Sequence, residues 1–198
     1  MINKILISIF IIIIILINGC KNNLPREDYI GYKTYSLVDH DSSSITFPNF
    51  YEGKILVVGF IFTHCPDICP ITVHNMQMIQ SEASKQGMNN IEFAAISFDP
   101  DRDTPSLLKK FGKMRNIDYS NWKFLTGERD TVLSLTKEME IVAVSSDTTY
   151  LKDGSKSYFF THTDRIALVD QRNRLRKEYV GTSVDIKEII NDIKSLED

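Results

Sequence analysis

The sequence predicts an α/β fold, a central mixed sheet flanked by helices, and three observations carry that expectation. Residues 55–62 (Ile-Leu-Val-Val-Gly-Phe-Ile-Phe) form an unbroken β-branched and aromatic run, the pattern of a central strand covered on both faces. Residues 91–98 (Ile-Glu-Phe-Ala-Ala-Ile-Ser-Phe) repeat it. Helical patterns separate these runs from later strand signals, and the chain closes on two strands around a polar turn, followed by a last helix. At 198 residues, 42% hydrophobic and 25% charged, the chain holds one globular domain with an appendage, and its composition excludes wholesale disorder. Its 23 Lys+Arg against 26 Asp+Glu give a net charge of −3, which excludes the basic excess of a nucleic-acid binder. Three cysteines are too few for a disulfide scaffold.

The appendage comes first. Lys4 precedes an apolar run of about 13 residues, 5–17, the length of a secretory h-region and short of a membrane span. Ile17-Asn18-Gly19-Cys20 resembles a bacterial lipobox, so residues 1–19 are expected to be a lipoprotein signal peptide and Cys20 a lipidated mature N-terminus. Residues 20–31, with Pro25 and Gly31 and no periodicity, read as the lipidated end and its tether, and 32–198 as the domain. Within it, 55–62 is a strand, 70–86 a polar helix ending at Gly87, and 91–98 a strand. The turn 99–103 leads into a helix over 106–115, with Thr104 as N-cap, Pro105 at the first helical position, and Leu107, Leu108, Phe111 and Met114 on one face. Residues 122–125 and 141–145 read as strands around a helix over 128–139. Strands over 165–169 and 175–180 and a helix over 184–196 complete the domain. The basic cluster Arg172, Arg174, Arg176 and Lys177 reads as a solvated hairpin tip, with an acidic partner or anionic lipid as the alternative.

The chemistry concentrates where the first central strand ends. Thr63-His64-Cys65-Pro66-Asp67-Ile68-Cys69-Pro70 places both thiols at the carboxyl edge of the sheet and at a helix N-terminus, which favours thiolate. A spacing of four lets the sulfurs face the same side of a helical turn, where they form a disulfide in an oxidised state or grip one metal ion. Two thiolates suit Cu(I), and an added imidazole accommodates Cu(II). A closed zinc site would want a fourth protein ligand. The third ligand stays open among the histidines. His40 sits in a polar loop and reads as solvated. His74 lies in the helix, His64 adjoins Cys65, and His162 stands just before a strand that can lie beside the central one.

The string 63–70, followed by Ile96-Ser97-Phe98-Asp99-Pro100-Asp101-Arg102-Asp103-Thr104-Pro105, then Leu125-Thr126-Gly127 and Thr161-His162-Thr163, resembles the SCO/SenC family of copper chaperones, in the family's order and over nearly the whole domain. The resemblance implies a thioredoxin-like fold with Cys65, Cys69 and His162 as ligands of one copper ion, Cu(I) or Cu(II). It also implies a part in maturing the binuclear copper centre of cytochrome c oxidase subunit II, by delivering copper, by reducing that subunit's cysteines, or both. The implied partners are subunit II, a copper donor and a thiol reductant. The implied protein is a monomer tethered to a membrane of the bacterial cell envelope, with its domain outside the cytoplasm. Asp99 and Asp103 are expected to make turns and caps, or to line the copper site. His64 adds an alternate ligand. The competing expectation is a general thiol-disulfide reductase in which Cys65 attacks a disulfide and Cys69 resolves it, without obligatory copper.

Overall fold

A computed structural model of the chain describes residues 24–146, 148–150 and 156–197. The expected signal peptide, the lipidation site Cys20 and much of the polar segment 147–157 lie outside the described residues. Twelve strands and four α-helices are described: β1 (Asp28–Tyr29), β2 (Tyr35–Asp39), β3 (Ser44–Phe47), β4 (Ile55–Ile61), α1 (Ile68–Lys85), β5 (Ile91–Ser97), α2 (Pro105–Lys113), β6 (Trp122–Thr126), α3 (Arg129–Glu138), β7 (Ala143–Ser145), β8 (Thr149–Tyr150), β9 (Lys156–Ser157), β10 (Phe160–His162), β11 (Ile166–Val169), β12 (Arg174–Tyr179) and α4 (Ile186–Glu197). The four expected helices and the six expected strands are present among them, and β1, β2, β3, β8, β9 and β10 are additions that the sequence reading lacks. The main sheet has the order β1-β12-β11-β4-β5-β6-β2-β3. Its parallel centre, β4 with β5 and β5 with β6, is framed by antiparallel neighbours, so the sheet is mixed as expected.

The centre is where hydrophobicity demands it. Every residue of β4 is buried, and α1 packs on β4, β5 and α4. Gly59 permits that close approach: a Cβ there would come within 2.6 Å of the Met76 sulfur on α1. The helix stops where Gly87 takes a positive φ of 73°, as a C-terminal glycine allows. Thr104 caps α2 by accepting a hydrogen bond from the Leu107 amide, with Pro105 at the first helical position.

The structure departs from the sequence reading in four places. The hairpin β2–β3 precedes the first strand read from sequence. Its signal was the two-residue alternation of Tyr35 and Leu37 against Ile45 and Phe47, all buried. Asp28 and Tyr29, read as tether, pair with Leu175 and Arg174 of β12, and Ile30 is buried. The free edge of β12 asks only for backbone partners, which no hydrophobic period announces. Nor is the basic cluster a solvated tip. Arg176 is 2% exposed and pairs with equally buried Asp170, and Arg174 meets the same carboxylate. Lys177 bridges Glu188 and Asp192 of α4, leaving Arg172 exposed.

His40 is likewise buried rather than solvated. The Phe124 amide donates to its Nδ1 at 3.2 Å, and its ring lies 4.4 Å from that of Tyr119. Burial lowers its pKa below the ordinary value, outweighing Asp41 and Asp39. The fold therefore holds the neutral ring, and its contribution to stability is lost as pH falls through the unfolded value near 6.5. Between pH 7.5 and 5 the wild type is expected to lose more thermal stability than His40→Asn. Equal losses in the two proteins would count against this role.

Candidate metal centre

The loop from Phe62 to Asp67 connects β4 to α1, so a fully buried strand leads to the first thiol and the helix start carries the second. Asp67 occupies the N-cap position, yet its side chain makes no capping bond. The cap is sulfur instead: the Cys69 amide donates to Cys65 Sγ at 3.4 Å. The sulfurs therefore meet because Cys65 lies just before the helix and caps it, not because both sit on one helical turn. Pro70, at the third helical position, has no N–H to leave unsatisfied. Cys69 is fully buried, and its Sγ accepts from the Phe62 amide at 3.4 Å, while Cys65 is half-buried. Both are free thiols.

His162 ends β10, which pairs with β7 in a separate two-stranded ribbon, and β11 then runs beside β4. This brings the His162 Nε2 to 3.6 Å from Cys69 Sγ. The Nδ1 lies 2.9 Å from the Thr163 carbonyl, so Nδ1 carries the proton it donates and Nε2 turns its lone pair to the sulfurs. Among the described residues, Cys65, Cys69 and His162 form one group able to hold a metal ion, with ligand atoms within 4.8 Å of one another. Below the imidazole, the rings of Phe62 and Phe98 stand 5.8 Å and 5.0 Å from it, and Phe160 packs against both phenylalanines. Phe62 and Phe98 are legible in the sequence as strand ends, but neither they nor Phe160 as the wall of a site.

The expectation that a helix N-terminus favours thiolate fails at Cys69. Burial pushes its thiol well above the ordinary range, against the Phe62 amide, which lowers it. A bound cation reverses that balance, because it replaces the proton. The other histidines do not join the group. His64 is half-exposed, with Nδ1 3.1 Å from Thr63 Oγ1, His74 is exposed on α1, and His40 lies under β6. Asp103 is not a helix cap, since Thr104 has that role. It is fully buried and accepts from the Thr63 amide at 2.9 Å, the Thr63 hydroxyl and Ser97 Oγ, so it fixes the strand end that leads to Cys65. Asp99, also buried, accepts from Tyr158 and Arg102. A cleft of about 1040 Å³ is lined by His64, the neighbour of Cys65, and by Phe98, Arg102, Leu133, Tyr158 and Phe159 among others, but by neither thiol.

The chain and its fold have counterparts. The chain is 28% identical over 174 residues to the SCO1 protein homolog of Bacillus subtilis, covering 85% of each. A SCO1/SenC family lipoprotein from Bacillus anthracis superposes with a TM-score of 0.72 at 26% identity, over 88% of this chain and 97% of that one. ScoI from Bradyrhizobium japonicum, solved with copper bound, gives a TM-score of 0.68 over 83% and 98% of the two chains, a likeness of fold at 24% identity. The thioredoxin-like architecture expected from the motifs is the one these structures share. The SCO1/SenC sequence profile matches residues 25–198, from before β1 through the closing helix, and on that span the chain belongs to the SCO1/SenC family.

Proposed function

We propose that this protein binds one copper ion through Cys65, Cys69 and His162. It passes the ion to the binuclear centre of cytochrome c oxidase subunit II, or reduces that subunit's cysteines with the same thiols. The observation that carries the reading is the convergence of two sulfurs and a lone-pair-bearing imidazole nitrogen within 4.8 Å. Two thiolates suit Cu(I), and the imidazole extends the site to Cu(II). Three ligands, one of them on a short ribbon, favour release by ligand exchange over permanent retention. Cys65 is half-buried, so its sulfur is only partly covered, whereas Cys69 is enclosed.

The lone pair at Nε2 predicts that His162→Ala weakens Cu(II) by at least about tenfold while changing Cu(I) less, because the thiols remain. Metal titration of the reduced protein, followed by absorption and EPR spectroscopy, tests both the one-to-one stoichiometry and this split. Unchanged Cu(II) spectra and affinity in His162→Ala would remove the imidazole from the site.

A second reading, thiol-disulfide reductase without obligatory copper, is favoured by the pairing of half-buried Cys65 with buried Cys69, whose amide donates to the Cys65 sulfur. Full support of oxidase maturation by His162→Ala would select it. Residues 1–19 as signal peptide and Cys20 as lipid anchor belong to the same proposal, with the segment between Cys20 and β1 as tether and the domain held at an envelope membrane. Among the described residues no helix is long and apolar enough to cross a membrane.

A further inference from the structure

We infer that Tyr158 and Asp164 are positioning residues for His162, clamping the strand that carries it at both ends. The inference rests on the copper reading for its consequence, though not for its geometry. β10 has three residues and, among the described residues, forms a two-stranded ribbon with the three of β7, and so short a ribbon has little stability of its own. An imidazole on it would wander unless other elements held it. Four residues upstream, the Tyr158 hydroxyl donates to Asp99 Oδ1 at 2.7 Å. The Arg102 guanidinium lies 3.6 Å from the centre of the same ring, donates to the Tyr158 carbonyl at 3.0 Å and pairs with Asp99. The loop after β5 thus grips the entry to β10 by ring, hydroxyl and backbone. Burial, with Asp99 assisting, pushes the hydroxyl up to about 12, so it remains a donor.

Two residues downstream, Asp164 Oδ1 accepts from Thr72 Oγ1 at 2.9 Å, and its Oδ2 accepts from the amide and hydroxyl of Thr182 at 2.9 and 2.6 Å. Thr72 lies on α1 three residues beyond Cys69, so this bond ties the strand of His162 to the helix of its neighbouring thiol. Gly181 makes room for the junction: a Cβ there would stand 2.4 Å from Asp164 Oδ1. Neither Tyr158 nor Asp164 supplies a ligand atom, yet together they fix where Nε2 arrives.

The test uses Tyr158→Phe and Asp164→Asn, which remove hydrogen bonds with almost no change in volume. Tyr179→Phe serves as the control, since it loses an equivalent 2.7 Å bond to Asp192 away from the site. In the reduced, metal-free protein, amide exchange of β7 and β10 is expected to quicken in both variants but not in the control. In the copper-loaded protein, Cu(II) is expected to dissociate about tenfold faster, as for loss of a group that orients a ligand, with Cu(I) affinity within about twofold of wild type. The two variants are expected to melt no lower than the control. Ribbon exchange matching the control in both variants would overturn the inference, as would faster exchange with Cu(II) release unchanged. A wild type that takes up no copper would instead overturn the proposed function, and the exchange measurement would still decide the clamp. Should one variant fail to fold, the other decides it.

Discussion

Replacement of Cys65 or Cys69 by serine is expected to weaken Cu(I) binding by at least about a hundredfold, with the fold intact. The magnitude follows from what a ligand contributes: about 10–16 kcal/mol for a four-ligand zinc site gives about 2.5–4 kcal/mol per ligand, or roughly two to three decades of affinity. A serine hydroxyl stays protonated at neutral pH and is a hard donor, so it does not replace a thiolate toward Cu(I). The structure explains why stability should survive. Cys65 Sγ acts as the cap of α1, a role for which serine is well suited. Cys69 Sγ accepts from the Phe62 amide, and a hydroxyl oxygen can accept the same bond. Competition against a Cu(I) chelator measures the loss, and a melting curve measures the fold. Affinity within tenfold of wild type in both serine variants would exclude the thiols as the site. Because burial holds the Cys69 proton in place, copper uptake must displace it, so Cu(I) affinity is expected to rise with pH.

The second large effect is structural. Arg176→Ala is expected to destabilise the domain by about 3–5 kcal/mol, because it removes one partner of a buried ion pair. That corresponds to a fall in melting temperature on the order of 10 °C for a domain of this size. The guanidinium donates to Asp170 Oδ2 at 3.1 Å and to the Arg26 carbonyl at 2.8 Å, so it joins β12 to the hairpin turn and to the segment before β1. Burial pushes the Asp170 carboxyl up, but the Arg174 side chain, the amides of 174 and 172 and Arg176 outweigh it and hold it below the ordinary carboxylate range. Its contribution is present at neutral pH and is lost as pH falls through that lowered value. Arg172→Ala, at the exposed position of the same cluster, is expected to change stability by no more than about 0.5 kcal/mol. Equal effects from the two substitutions, read by chemical denaturation, would show that burial does not distinguish these arginines.

The contrast between Arg172 and Arg176 shows where sequence reading stops. Four cations within six residues look solvated because charge is normally exposed. Only the arrival of residues 26–29 over β12, and of Asp170 folding back from the turn, tells which arginine is covered. His40 repeats the point, since a histidine among Asp39, Asp41 and Ser42 reads as polar loop until β6 is seen to pass beside it. The elements with strong local signals fared differently. β4 and β5 follow from continuous apolar runs, and α2 follows from its Thr-Pro start and apolar face. β2 and β3 carry only a two-residue alternation broken by a polar turn, a weaker signal than a continuous apolar run, and β1 owes its existence to a backbone edge elsewhere.

For the site, the division is equally physical. Sequence alone determined the two-thiol motif, its place between a buried strand and a helix, and the α/β alternation, because each is written in neighbouring residues. It left the third ligand open among the histidines until the motif order pointed to His162, 93 positions beyond Cys69. The tertiary structure decided the rest. It brings Nε2 to the sulfur through β11 pairing with β4, fixes the tautomer through the Thr163 carbonyl, and raises the Cys69 proton affinity by enclosing it. Distances and dielectric surroundings belong to residues far apart in the chain, so no local pattern carries them.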